Sequence, residues 1–355
     1  MAEEFIFKEL KDLSERVKST PAMPGELTNK IEGMLDRLNR MAKIGGYTEA
    51  YDTMARYIDL ITTIPWGKRT VDNLNLPLTK KLLDDHHYGL EDVKERILQY
   101  LSTVILRTRD EKGNISRAPI LLFVGLQGIG KTTFAISLAE ALGRKFIRIS
   151  MGGIGSVLEL RGRSKAFPEA EPGQIVKALV KSQVMNPLIL LDEIEKASGD
   201  TGVRMDIMAT LLEILDPNQN SSFRDHYVDY PVDLSGVLFI CTANGLGTLT
   251  AALLDRMEVI KMPSYTDYEK EVIAKEYLLP KVVENSGLHK DELIIDPNLW
   301  QSIIRPLGFD SGIRSLNRTL ENMTRKVAKE IVEGKHKSVT ITEENLKDYL
   351  PKGNL

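Results

Sequence analysis

Residues 125–133 read GLQGIGKTT and directly follow the apolar run APILLFV. The stretch from Gly125 through Leu126, Gln127, Gly128, Ile129 and Gly130 to Lys131 and Thr132 fits the spacing G-x-x-x-x-G-K-[ST], with Thr133 behind it. Glycines at those positions let backbone N–H groups turn inward around phosphates. The following residues, TTFAISLAEALG, predict a helix whose positive N-terminal end faces the same charge. Lys131 is expected to reach the β- and γ-phosphates of ATP, and the Thr132 hydroxyl to ligate Mg²⁺. A strand before and a helix after are the context that separates a phosphate loop from a chance glycine turn.

A second acidic element follows at PLILLDEIEK. Its apolar run ends in Asp192 and Glu193, at the C-terminal tip of a strand, where open α/β sheets hold ligands. Asp192 can organise Mg²⁺ and its water shell. Glu193 is a candidate base for the attacking water. A third element, FICTANGLGTLTAALLDRMEVI, ends a strand at Asn244 and carries Arg256. An amide at a strand tip beside the phosphates can position water. An arginine can stabilise transition-state charge, in cis or from a neighbouring subunit; Arg256 also suits a surface ion pair. There is no H-E-x-x-H and no G-x-S-x-G. The five histidines have no metal-ligand spacing, and His86 and His87, adjacent on a helix, are not expected to face one site.

These residues need a sheet to position them. From about 78 to 265, the runs PILLFV, FIRIS, PLILLD, VLFICTA and MEVIKM alternate with helical stretches. Several lack polar alternation, as expected of central strands covered on both faces. Residues 1–63 read as helix, with Ile31, Leu35, Leu38 and Met41, then Tyr51, Met54, Tyr57 and Ile58, at helical spacing, and with TPAMPG as punctuation. Residues 63–77 form a turn-rich connector. From 266 the pattern is helical again, with a short strand KSVTIT and a last helix starting at Thr342.

The composition suits a globular domain pair or trio, with 42% hydrophobic and 27% charged residues. A net charge of −3 gives no sign of a dedicated nucleic-acid binder, so DNA binding is not indicated. The single cysteine, Cys241, rules out an intrachain disulfide framework and reads as a buried strand thiol. No apolar stretch approaches membrane-spanning length and the N-terminus has no signal-peptide core, which makes the cytoplasm the expected compartment.

The chain resembles the ATPase part of the Lon family of ATP-dependent AAA+ proteases. The resemblance rests on YIDLITTIPWGK, HHYGLEDVKERILQYL, LLEILDPNQNSSFRDHYVDYPVDLSGVLFICTAN, LLDRMEVIKMPSYTDYEK and GIRSLNRTLENMTRKVAKEI, which follow in Lon order over about residues 50–350. It implies an α/β fold: a P-loop nucleotide domain with a parallel sheet (69–265), after a helical segment (1–68) and before a small helical lid (266–355). It implies ATP/ADP and Mg²⁺, a hexameric ring of identical chains, unfolded or damaged proteins as substrates, and a peptidase domain in cis in the full-length family. Arg256 resembles the arginine finger, Arg314 the second sensor on the lid and Asn244 the first. His87 and Tyr88 match the segment lining the adenine pocket. Phe167, followed by Pro168, falls where the family has its substrate-gripping pore loop.

Some residues depart from the family. Its G-P-P-G is here Gly125-Leu126-Gln127-Gly128, which should leave the loop less ordered before nucleotide binds. The pore loop reads Phe167-Pro168-Glu169-Ala170-Glu171, where the family has glycine and later methionine. Two carboxylates per subunit would line a ring with a negative belt. The serine–lysine peptidase is expected to lie beyond this chain. The leading expectation is an ATP-driven protein unfoldase and translocase. The alternative is a nucleotide-gated protein-binding module that holds partners without pulling.

Overall fold

The protein is described by a computed structural model covering residues 2–44, 48–110, 119–167, 169–197, 201–305 and 312–351. The apolar runs become five strands: β1 (Ile120–Val124), β2 (Phe146–Ser150), β3 (Leu188–Asp192), β6 (Leu238–Ala243) and β7 (Met257–Lys261). All are parallel, in the order β2-β3-β6-β1-β7. Hydropathy decides the order. The strands β1, β3 and β6, which carry no charged residue before their C-terminal tips, are central and buried, whereas β2 and β7, which carry Arg148 and Glu258, sit at the edges. A two-stranded hairpin, β4 (Phe223–Arg224) with β5 (Pro231–Val232), interrupts the crossover to β6.

Alternate strand residues face two cores. Leu121, Phe123, Leu190 and Ile240 meet α4 (Leu76–His86), α5 (Glu91–Asp110) and α6 (Lys131–Ala141) on one face. Leu122, Ile189, Leu191 and Cys241 meet the other face's helices, among them α8 (Gln174–Ser182) and α9 (Thr201–Leu215). The short α7 (Val157–Arg161) precedes α8, and α10 (Ala251–Leu254) precedes β7. Cys241 is fully buried, and burial pushes its thiol far above the usual range.

The N-terminal residues form α1 (Ala2–Lys18), α2 (Gly25–Ile44) and α3 (Glu49–Thr63), broken where TPAMPG stands. Ile31, Leu35, Leu38, Tyr51, Tyr57 and Ile58 are buried as their spacing predicts; Met41 and Met54 are only partly covered. These helices share the second core with the sheet. Tyr57 crosses between them: its hydroxyl donates to the Val228 carbonyl at 2.7 Å, buried. The connector after α3 is pinned, with Arg144 forking Asp72 at 2.7 Å and Asn186 Oδ1 accepting from the Thr70 amide at 2.8 Å.

The lid has its own core. It comprises α11 (Asp267–Ile273), a π turn (Ala274–Leu278), α12 (Leu279–Asn285), α13 (Trp300–Ile304), α14 (Arg314–Val332) and α15 (Leu346–Tyr349), with β8 (Leu293–Ile295) parallel to β9 (Val339–Ile341). The last helix starts at Leu346, four residues later than the sequence predicts. Asn345 Oδ1 accepts from the Thr342 amide at 2.8 Å and closes a turn there, so Thr342 caps no helix.

Tyr57→Phe keeps the ring but leaves the buried Val228 carbonyl without its donor. The expected cost is about 1–3 kcal/mol, read as a lower urea midpoint with an unchanged slope.

Candidate nucleotide site

Because the five strands are parallel, their C-terminal ends share one edge, and the loops leaving them meet over it. A cleft of about 420 Å³ opens there, lined by Lys131, Thr132, Asp192, Glu193 and Asn244, with Arg314 from the lid. Residues separated by over a hundred positions in the chain thus share one volume. The floor of the cleft is the loop after β1. Gly130 takes φ +97° as the residue before α6, a conformation closed to most side chains, and no side chain caps that helix. Its first-turn amides therefore point a partial positive charge into the cleft.

Lys131 is mostly buried, and its Nζ donates to the carbonyls of Gly125 and Leu126 and, at 2.9 Å, to Asn244 Oδ1. Burial pushes its ammonium down; the charges of Glu195, Asp192 and Glu193 oppose that shift. A group that draws Lys131 away must replace those acceptors, and phosphate oxygens can.

The acidic pair is held from two neighbouring strands. Thr242, on β6, donates its hydroxyl to Asp192 Oδ1 and accepts from the Glu193 amide at 2.9 Å. Arg148, on β2, forks Asp192 Oδ2 at 2.7 and 2.6 Å. Glu193 sits at φ +59°, a left-handed conformation that strains a non-glycine residue by about 1 kcal/mol. Its carboxylate accepts from Lys196 at 2.8 Å, which holds it below the usual carboxylate range, and from Gln127 at 3.4 Å. Glu193 is therefore an anion facing the cleft. Neither Thr242 nor Arg148 was among the sequence candidates; only strand register makes them neighbours of Asp192.

The lid closes directly onto the phosphate loop. The Ile313 amide donates to the Gly128 carbonyl at 3.0 Å. A Cβ on Gly312 would stand 2.5 Å from the Gln127 carbonyl oxygen, so only glycine allows this approach. Arg314 starts α14 beside Gly128 and reaches the cleft, and Asn317 joins it one turn later. Leu278 ends the π turn and lines the cleft with Ile313, an apolar wall suited to a flat base. The wide turn stands just before Pro280, which has no N–H to complete the ladder.

Other expected residues lie elsewhere. His87 and Tyr88 are not in the cleft lining. The chain leaves α4 at His86, and His87 turns inward, buried, to stack on Phe134 with ring centroids 3.7 Å apart. Tyr88 neighbours Tyr268 and Glu269 of the lid. The expectation that adjacent histidines cannot face one site also fails. His86 Nδ1 and His87 Nε2 both lie 3.0 Å from Ser137 Oγ, because the helix ends between them. Arg256 precedes β7, at the opposite edge of the sheet, roughly 15 Å along the strand. It pairs with Asp216 at 3.1 Å.

Phe167 is 54% exposed, in a loop with Arg163 stacked over its ring at 5.2 Å. Pro168 lies outside the described residues. Of the two carboxylates expected there, Glu171 pairs with Lys177, which offsets part of its charge. Glu169 takes φ +58°, the conformation that favours glycine, the residue usual at this point of the pattern.

The donor set fits Mg²⁺. A hydroxyl and a carboxylate, Thr132 and Asp192, are hard oxygen donors, too few for a protein-only cage but suited to an ion bringing phosphate and water ligands. Among the described residues no cluster of three or more His, Cys, Asp or Glu could hold a metal unaided.

A phosphate loop, a paired acid at the next strand but one, an amide at the strand between, and an arginine lid define a P-loop ATPase-family domain. Residues 121–264 match the family described as "ATPase family associated with various cellular activities (AAA)". Residues 284–340 match the "Lon protease AAA+ ATPase lid domain". The chain is 42% identical over 363 residues to Lon protease 1 of Bacillus subtilis (strain 168), covering 99% of this chain and 46% of that protein. It is 43% identical over 345 residues to Lon protease of Brevibacillus choshinensis, covering 97% and 43%. Lon protease of Dictyoglomus thermophilum is 42% identical over 343 residues, covering 96% and 42%. The chain belongs to the Lon protease family, as its AAA ATPase and lid module, and spans less than half the length of these relatives. Among the described residues no helix is long and apolar enough to cross a membrane.

His87 supplies a pH test. Burial, with the charge of His86 beside it, pushes His87 down to about 4. The unfolded chain takes this proton near pH 6.5 and the folded chain only near 4. Stability is therefore lost as pH falls through that window, by about 3 kcal/mol. His87→Phe keeps the stack on Phe134 and removes the titration. Urea midpoints between pH 7 and 4.5 should fall less steeply in the variant; equal slopes would remove His87 as the cause.

Proposed function

We propose that the chain is the ATP-hydrolysing motor module of a Lon-type protease, unfolding protein and threading it through a ring of identical copies in the cytoplasm. Its parts are a helical segment (1–68), a nucleotide domain (69–265) and a lid (266–355). The observation that carries this reading is the meeting of Lys131, Thr132, Asp192, Glu193, Asn244 and Arg314 in one cleft. Lys131 exchanges its loop carbonyls for the β- and γ-phosphates. Thr132 and Asp192 would hold Mg²⁺, which would neutralise charge on the phosphates. Glu193, held as an anion by Lys196, takes the proton of the attacking water.

Arg314 contacts the nucleotide from the lid, so lid position reports what is bound. Arg256 stands too far from its own cleft to act there. It serves a neighbour's nucleotide, released from Asp216 on assembly. Phe167, exposed on its loop, grips extended polypeptide in the channel of the ring. A nucleotide-gated binder would share the cleft but not the coupling of turnover to substrate.

Lys131→Ala should abolish ATP binding, whereas Glu193→Gln should bind ATP and stop its hydrolysis. Near-normal turnover in Glu193→Gln would remove Glu193 as base. In the parent chain, unfolded protein should speed turnover; an unchanged rate would favour the gated binder.

Arg256→Ala should lower turnover by roughly 10³-fold or more with ATP affinity kept. Mixed with Lys131→Ala chains, it should regain activity, since some interfaces then pair an intact lysine with an intact arginine. Co-assembly without recovery would rule out action across the interface.

A further inference from the structure

Glu195 lies outside the cleft lining, on the single turn Ile194–Lys196 that follows β3. Its Oε1 accepts from Asn244 Nδ2 at 2.6 Å. Its Oε2 is buried and has no hydrogen-bond partner among the described residues. At the other end of the same amide, Asn244 Oδ1 accepts from Lys131 Nζ at 2.9 Å. Carboxylate, amide and ammonium thus form one chain leading from behind the strand tip into the cleft.

An asparagine amide can present either its oxygen or its nitrogen to a cleft. The partner behind it decides which. A carboxylate only accepts, so Glu195 takes Nδ2 and turns Oδ1 forward. An ammonium only donates, and Lys131 demands the same orientation. The charge of Glu195 is also the largest of those opposing the effect of burial on Lys131.

We infer that Glu195 is a positioning residue for ATP hydrolysis, fixing Asn244 with its carbonyl oxygen toward Lys131 so that Asn244 serves the cleft as a hydrogen-bond acceptor. This rests on the ATPase reading above. Asn244 Oδ1 then faces groups with protons to give, the Lys131 ammonium and the O–H of the attacking water, while Nδ2 also serves the Glu193 carboxylate. By holding the water's O–H, Asn244 turns that oxygen toward phosphorus while Glu193 takes the other proton. Lys131 stays aligned as it changes partners.

The test exchanges the two groups. Glu195→Gln puts an amide behind Asn244 and leaves either orientation open; kcat should fall about tenfold to a hundredfold, with little change in KM for ATP. Asn244→Asp sets two carboxylates against each other and should also lower kcat. The double variant, Glu195→Gln with Asn244→Asp, moves the carboxylate to 244 and the amide to 195. It keeps an acceptor facing Lys131, so its kcat should exceed that of both single variants. If Asn244 instead works by donating to phosphate, a carboxylate at 244 cannot replace it. The double variant would then be no faster than Asn244→Asp, which would overturn the inference. Unchanged kcat in Glu195→Gln would overturn it too.

Thermal midpoints of the four nucleotide-free proteins supply a readout that needs no turnover. The two single variants should be lowered, and the exchange should recover part of the loss. Simple addition of the two losses would show that the residues are not coupled and would sink the proposal. If the parent chain hydrolyses no ATP, the ATPase reading fails, while these midpoints still decide the pairing.

Discussion

A lysine ammonium held inside the protein is the constraint around which the rest of the site is arranged. Lys131 is mostly buried, and a buried charge is stable only where acceptors and opposite charges surround it. Two loop carbonyls, the Asn244 amide and the nearby charges of Glu195, Asp192 and Glu193 provide that surrounding. They come from the ends of three strands, β1, β3 and β6, or from the turns after them. The parallel sheet is thus what brings their charges within reach of a single lysine. Polyanionic phosphate, entering beside this lysine and the uncapped end of α6, meets a field already arranged for it.

Two neighbouring strands keep the acids in place. Thr242 ties Asp192 and Glu193 to β6, and Arg148 ties Asp192 to β2. The left-handed backbone at Glu193 is tolerated because its amide and carboxylate are both held. Lid and phosphate loop touch through backbone at Gly312, Ile313 and Gly128, without long side chains between them. Such a contact transmits displacement with little slack, since close-packed backbone cannot be compressed.

The opposite end of the sheet carries a separate set of contacts. Arg256 is held there by Asp216, out of reach of its own cleft. The N-terminal helices pack on one face of the sheet. They share a core with the sheet, and Lys30 and Lys165 converge on Asp229 and the Tyr57 ring. Lys165 stands two residues before Phe167, so the root of the Phe167 loop is braced by helices far away in the chain.

Chemistry that needs fixed residue types at short spacing was legible in the sequence. Gly125 to Thr132 and the pair Asp192-Glu193 are local, and the five strands announced themselves by unbroken apolar runs. Asn244 was legible as an amide at a strand tip, and Arg314 only as a match to a family pattern. The partners that make the site work were not. Thr242 meets Asp192 across 50 residues of chain, and Arg148 meets it across 44, because β2, β3 and β6 lie side by side in one register. Glu195 reads as one more acid in a polar turn until Asn244 is placed against it. His87, placed by the resemblance in the adenine-pocket segment, stacks on Phe134, since one residue's change of backbone direction after α4 turns its ring inward. Local spacing encodes what a backbone turn can hold. Which side chains face each other across a sheet is set by strand order and register, and those depend on packing the whole chain.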